Sequence, residues 1–194
     1  MIIVDVETTG LDHVNNSILS IGAVDFSNPK NTFYGECRIW EGAAINPKAL
    51  EINGFTEKQA RENPKSPKEL MEEFISWVNE TGNDKIGGYY TLFDYSFLKS
   101  TADRFGLDFP FSSDVYDLQT EFAVLSGIPR EFAETELLFT LDDILMSLGI
   151  PAEPNPHNAL RGAKYTAEAI SRFKDGDNLL EEFEKFPLPS SMEK

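Results

Sequence analysis

The spacing of apolar and polar positions changes several times along the chain, and each change marks an element. Residues 2–7 (IIVDVE) place apolar residues before and between two acids and then stop at Thr-Gly, which predicts a buried strand ending in a turn. Residues 17–26 (SILSIGAVDF) and 31–40 (NTFYGECRIW) are rich in β-branched and aromatic residues and flank a turn at 28–31, so they predict a hairpin. The sheet thus opens with three consecutive strands. Helical spacing follows in short pieces at 46–55 and 56–64, then in a longer run at 66–82. There Ser66, Pro67 and Glu69 supply the cap, the first-turn proline and the capping-box acid, and Leu70, Phe74, Ile75 and Val78 form the buried stripe.

A short strand returns at 84–90 (DKIGGYY), and the next helix, 93–106, carries Phe97, Leu98 and Phe105 on one face and stops at Gly106. The rest reads as helical at 115–127, at 140–149 with Thr140 as N-cap and Gly149 as stop, and at 158–173. No repeat or linker divides these pieces, which predicts one mixed sheet with helices on both faces over residues 1–174. The acidic stretch 175–194, with little fold signal, is expected to be a C-terminal extension.

Composition adds bounds. A chain of 194 residues with 41% hydrophobic and 26% charged residues has the balance of one globular domain with a sizeable core. No apolar run approaches the roughly 18 residues that would span a bilayer, so no membrane partner is expected. Absence of a basic, apolar leader before residue 2, together with a lone Cys37, suits a reducing cytoplasm. The 33 acids outnumber the 17 Lys and Arg, for a formal net charge of −16, which argues against a polyanionic partner unless bound cations supply local positive charge.

The candidate chemistry begins in the first strand. Residues i and i+2 of a strand share a face, so Asp5 and Glu7 project two carboxylates side by side near its C-terminal end, an arrangement that favours a cation. Asp94 follows the fourth strand at the start of a helix, where by itself it is equally explained as a helix cap. His157, in HNALRGA after the turn PAEPNP, has the titration range of a general base, and Gly162 sits one turn into a helix that has little use for glycine. His13, in the loop after TTGLD, has no comparable support and is assigned no role.

In order along the chain, DVETTGL with ILSIGAV, then GGYYTLFDYSFL, then HNAL resemble the three motifs of the DnaQ-like (DEDDh, ribonuclease H-like) 3′–5′ exonucleases, the group of the DNA polymerase III epsilon proofreading subunit. The resemblance covers about residues 1 to 173 and includes INPKALEINGFTEKQARENP, VYDLQT and TLDDILMSLGIP. It implies an α/β fold of ribonuclease H-like type, with the first three strands antiparallel and the later ones parallel. It further implies that Asp5, Glu7 and Asp94 are ligands of a two-metal Mg²⁺ or Mn²⁺ site, and that His157 is the base that activates water. Such ions, about 3.5 to 4 Å apart, hold the attacking and leaving oxygens of a phosphodiester. The implied substrate is a single-stranded DNA or RNA 3′ end, and a polymerase or another replication or repair protein is a candidate partner.

Two positions depart from the family pattern. The acid expected five residues after the histidine is Gly162, and the His-Asn pair common in the middle motif is Tyr89-Tyr90. Neither neighbour of Gly162 is acidic, and Glu168 lies about 240° further round the helix, so the sequence offers no substitute ligand. Two functions therefore stay open: a metal-dependent 3′–5′ exonuclease, weakened or not by the missing acid, and a non-catalytic nucleic-acid-binding or partner-binding module of the same fold. Lys99, Arg161 and Lys164 are candidate phosphate contacts; with so few cations, a short footprint and a shallow salt dependence are expected.

Overall fold

The computed structural model describes residues 1–189. Three strands, β1 (Ile2–Thr8), β2 (Ile18–Asp25) and β3 (Thr32–Glu36), form an antiparallel meander, and two short strands, β4 (Ile86–Gly88) and β5 (Tyr116–Asp117), extend it in parallel. The order β3-β2-β1-β4-β5 puts β1 at the centre of the sheet. Asp5 and Glu7 thus belong to a strand walled on both sides, where hydration of two acids comes only from the sheet's faces and end.

Helices cover both faces. On one lie α3 (Pro67–Thr81) and α4 (Thr91–Phe105), with Leu70, Phe74, Phe97 and Leu98 packed against Ile2, Val4, Val6 and Ile21. The other face carries Ile3 and Val24 against Ala163, Ala167 and Ile170 of α8 (Ala159–Asp175), with Ile144, Leu145 and Leu148 from and just beyond α7 (Leu141–Ser147). The alternation of β1 is therefore literal: Ile2, Val4 and Val6 go one way, and Ile3, Asp5 and Glu7 the other.

Local signals hold at the helix ends. Ser66 and Glu69 form the capping box of α3, Thr140 and Asp143 that of α7, and Gly106 terminates α4 at φ 65°. In the α3 stripe Met71 is fully buried where Ile75 was expected, and in α4 Thr101 and Ala102 complete the stripe while Phe105 stays partly exposed. One expectation is corrected. Residues 115–127 are not helical throughout, because Tyr116 and Asp117 pair with Gly87 and Gly88 as β5 before α5 (Leu118–Leu125) begins. Asp117 then serves two helices: its Oδ1 accepts from the Thr91 amide at 2.8 Å, and its Oδ2 from the Thr120 amide at 2.9 Å.

Beyond α8 the chain turns back across it. Phe183, in a short 3₁₀ turn at Glu181–Phe183, is buried against Tyr165. The anchor is ionic. Fully buried Arg172 pairs with Glu168 at 2.9 Å and donates to the Leu148, Phe183 and Phe186 carbonyls, while Glu168 Oε2 accepts from the Leu179 and Leu180 amides. Each charge is thereby satisfied, the condition on which a buried pair is tolerated. Of the stretch expected to form an extension, residues 190–194 lie outside the described residues.

Candidate active site

The register of the meander lays out the floor of the site. Asp5 lies opposite Gly22, and Glu7 opposite Ser20, which in turn faces Glu36; cross-strand partners share a face, so these rows look toward α8. Gly22 is required there: a Cβ would stand 2.1 Å from the backbone of Ala159 and Leu160, so the first turn of α8 rests directly on β2. The register slips between Glu7 and Thr8, an irregularity that ends the regular ladder beside Glu7. Ser20 is wholly buried, and its Oγ has no hydrogen-bond partner among the described residues.

Asp94 comes from the opposite side of the sheet. It sits one turn inside α4 and does not cap it; instead its Oδ1 accepts from the Val6 amide at 2.9 Å, so the capping explanation fails and the residue is tied to the strand between Asp5 and Glu7. The α4 entry is shaped by Tyr90, at φ 52°, which turns the chain sharply after β4 and leaves its own ring half exposed. Tyr89 packs inward and donates to the Phe139 carbonyl at 2.8 Å, which makes it a core residue.

Three carboxyls crowded behind protein carry an electrostatic cost. Burial pushes Asp5 well above the ordinary carboxylate range, and the charges of Asp94, Glu7 and Glu153 add to it. Glu7, only 8% exposed, is raised to about 7, first by burial, then by the charge of Glu153, with Arg161 opposing. Asp94 is raised well above its ordinary range by burial, against the hydrogen bond from Val6. At neutral pH this cluster resists full ionisation without a counter-charge.

The second wall is the loop before α8. His157 is exposed, its amide donates to the Ile52 carbonyl of α1 (Pro47–Asn53), and Asn158 next to it caps α8 by accepting from the Arg161 amide. Asn158 also donates to the Tyr34 hydroxyl, which donates to Glu36 at 2.5 Å. Gly162 explains itself here. A Cβ at 162 would lie 2.4 Å from Asp5 Oδ2, so the Asp5 carboxyl occupies the room a side chain would need. The arginine before it reaches back along the loop to Glu153 at 3.0 Å and to the Pro154 and Pro156 carbonyls. The negative charge of Glu153, on the loop before α8, adds to the upward shift of Asp5 and Glu7.

Other expected contacts are already engaged. Lys99 pairs with Asp103, Lys164 with Glu182 and Arg161 with Glu153, while His13 Nδ1 lies 2.7 Å from Ser100 Oγ, away from the acids. As the side chains stand, no three His, Cys, Asp or Glu residues among those described converge closely enough to hold a metal ion. The donors nonetheless suit a hard divalent cation. They are carboxylate oxygens, desolvated and mutually repelling, beside a buried hydroxyl without a partner. No helix among the described residues is long and apolar enough to cross a membrane.

A sequence model of the family described as "Exonuclease" matches residues 2–170. Similar proteins include the PolC-type DNA polymerase III of Thermotoga maritima, 29% identical over 190 residues, a span of 95% of this chain but only 13% of that polymerase. Ribonuclease T of Yersinia pseudotuberculosis serotype O:1b is 25% identical over 195 residues, covering 89% of this chain and 85% of its own. Among solved structures, the nuclease domain of 3′hExo, a DEDDh family member bound to rAMP, superposes with a TM-score of 0.71 at 16% identity, over 93% of this chain and 94% of that one. The mixed sheet with its flanking helices is thus ribonuclease H-like.

Proposed function

Because the chain belongs to the exonuclease family, we propose that it is a divalent-metal-dependent 3′–5′ exonuclease acting on single-stranded DNA or RNA ends, with Asp5, Glu7 and Asp94 as the metal-binding acids and His157 as the base. The observation that supports this reading is that burial raises three carboxyls from two elements that share the end of the sheet: Asp5 and Glu7 on the central strand, and Asp94 tied to that strand through the Val6 amide. A structural role would not gather like charges where each raises the free energy of the next.

Bound Mg²⁺ or Mn²⁺ would neutralise the acids and stabilise the charge that develops on the scissile phosphate. The chain's own residues set the rest. Asp94 is pinned by the Val6 amide, which fixes its Oδ1 against the central strand. Asp5 is held against the glycine of α8. His157 stands exposed where its ring meets solvent, as a residue that takes a proton from water must. The fixed positive charge of Arg161 lies beside Glu7 and Glu153 and limits their repulsion before a cation arrives. Association with a polymerase is a further proposal, suggested by the place of the similar segment inside the PolC-type enzyme.

Release of nucleotides from single-stranded DNA and RNA labelled at either end, with Mg²⁺ or Mn²⁺ present or chelated, tests the reading. Metal-dependent loss from the 3′ end that disappears in Asp5→Asn and falls steeply in His157→Ala is the expected result. A parent that binds oligonucleotide yet releases nothing with either metal would overturn it in favour of the binding-module alternative.

A further inference from the structure

One cross-strand row of the sheet runs Asp5, Gly22, Tyr34, and the start of α8 stands on its glycine. Cross-strand partners share a face, so Asp5 and Tyr34 flank the helix start on either side. Tyr34 lies on the edge strand β3 and is 40% exposed, yet its hydroxyl is engaged twice. It donates its one proton to Glu36 Oε1 at 2.5 Å and accepts from Asn158 Nδ2 at 3.2 Å.

The direction of this chain of hydrogen bonds is fixed. A carboxylate only accepts, so the tyrosine proton goes to Glu36 and a tyrosine lone pair is left for the Asn158 amide group. That turns Asn158 Oδ1 to the Arg161 amide, 3.1 Å away, where it caps α8. The cap needs only Oδ1. The second bond adds a tie from the residue beside His157 to the row that holds Asp5. The rest of the loop is tied elsewhere: the His157 amide donates to the Ile52 carbonyl of α1, and the Arg161 guanidinium to the Pro154 and Pro156 carbonyls. Of these ties, only the one to Tyr34 reaches the sheet.

We propose that Tyr34 is a positioning residue for the reaction: its hydroxyl, oriented by Glu36, holds Asn158 and so fixes the start of α8, and with it His157, relative to Asp5. This inference rests on the reading of His157 as the base. A base on an exposed loop is effective only when held in register with the reacting atoms, and small displacements cost rate steeply. Tyr34 acts through Asn158 and His157. Its removal therefore has a signature that loss of a metal ligand or of general stability lacks: it matters only while His157 is present.

A double-mutant cycle tests it. Single-turnover release from 3′-labelled single-stranded DNA and RNA with Mn²⁺ is compared for the parent, Tyr34→Phe, His157→Ala and the double variant, and hydrogen exchange of the His157 and Arg161 amides is followed in metal-free protein. Phenylalanine keeps the ring and removes both hydrogen bonds. The rate is expected to fall about three- to tenfold in Tyr34→Phe, the effect of one lost hydrogen bond, with KM unchanged, and to fall no further when Tyr34→Phe is added to His157→Ala. Exchange at the Arg161 amide should quicken in Tyr34→Phe, and Glu36→Gln, which keeps an acceptor for the hydroxyl, should retain the parental rate. A parental rate in Tyr34→Phe, or an equal fall in both backgrounds, overturns the inference and leaves the exonuclease reading standing. Where His157→Ala leaves no measurable rate, amide exchange decides, and unchanged exchange in Tyr34→Phe refutes the inference. A parental rate in His157→Ala, or a parent inactive with either metal, removes the base reading and the inference with it. Should Tyr34→Phe not fold, Glu36→Ala takes its place in the cycle, with the same outcomes supporting or refuting.

Discussion

In metal-free buffer, replacing Glu7 by glutamine should make the protein more stable at alkaline pH, against the usual expectation for a buried polar residue. Glu7 is only 8% exposed and its carboxyl is raised from 4.5 to about 7 by burial and by Glu153. A folded-state value above the unfolded one means the folded chain holds its proton more tightly. Stability from this proton is therefore complete below about pH 4.5 and is lost as pH climbs through about 7. The loss amounts to about 3 kcal/mol at about pH 8, an upper figure because relaxation and water entry soften such costs. Glutamine resembles the neutral acid and carries no titration. Urea unfolding in EDTA at about pH 4.5 and about pH 8 should show the two proteins alike at the lower pH and the variant more stable at the higher. Millimolar Mg²⁺ should narrow the gap by stabilising the parent. A variant that is less stable at both pH values, or a difference independent of pH, would refute the reasoning.

Other predictions follow from single contacts. Gly22→Ala drives a methyl into the backbone of Ala159 and Leu160, neither of which can rotate away, so a loss of about 3 kcal/mol or more is expected in denaturant unfolding. Gly162→Ala should change stability by less than about 1 kcal/mol, since the helix gains from alanine what it loses in contact, but Asp5 must swing aside and Mn²⁺ affinity should drop. For the same reason Gly162→Asp should not add a simple fourth ligand, and its Mn²⁺ titration should be no tighter than the parent's. Arg172→Met leaves Glu168 charged and buried; a loss of about 3 to 5 kcal/mol and faster proteolysis between residues 176 and 186 are expected, where an unaltered digestion pattern would contradict the anchoring role.

Much of this was legible in the chain because it depends on near neighbours. Period-two spacing in residues 2–7 put Asp5 and Glu7 on one face before any partner strand was known, and Ser66 with Glu69 and Thr140 with Asp143 are caps closed within four residues. The order of short motifs identified the family, and His157 was correctly placed at the mouth of the last long helix. Strand β5 escaped notice because two residues have no period; it exists through pairing with Gly87 and Gly88.

The tertiary structure alone decided how these pieces meet. Asp94 looked like a helix cap, and only the passage of α4 beneath β1 turns its carboxyl to the Val6 amide, 88 residues away in sequence. Gly162 stands where the family pattern has an acid, and only the seating of α8 on Gly22 shows that the Asp5 carboxyl takes the space of a side chain there. Glu153 carried no signal in the sequence, and a guanidinium on the following helix holds its side chain inward. Periodicity and capping act within a few residues and are written in the sequence, whereas excluded volume and Coulomb fields act between elements that packing brings together, and so they exist only once the sheet and α8 have met.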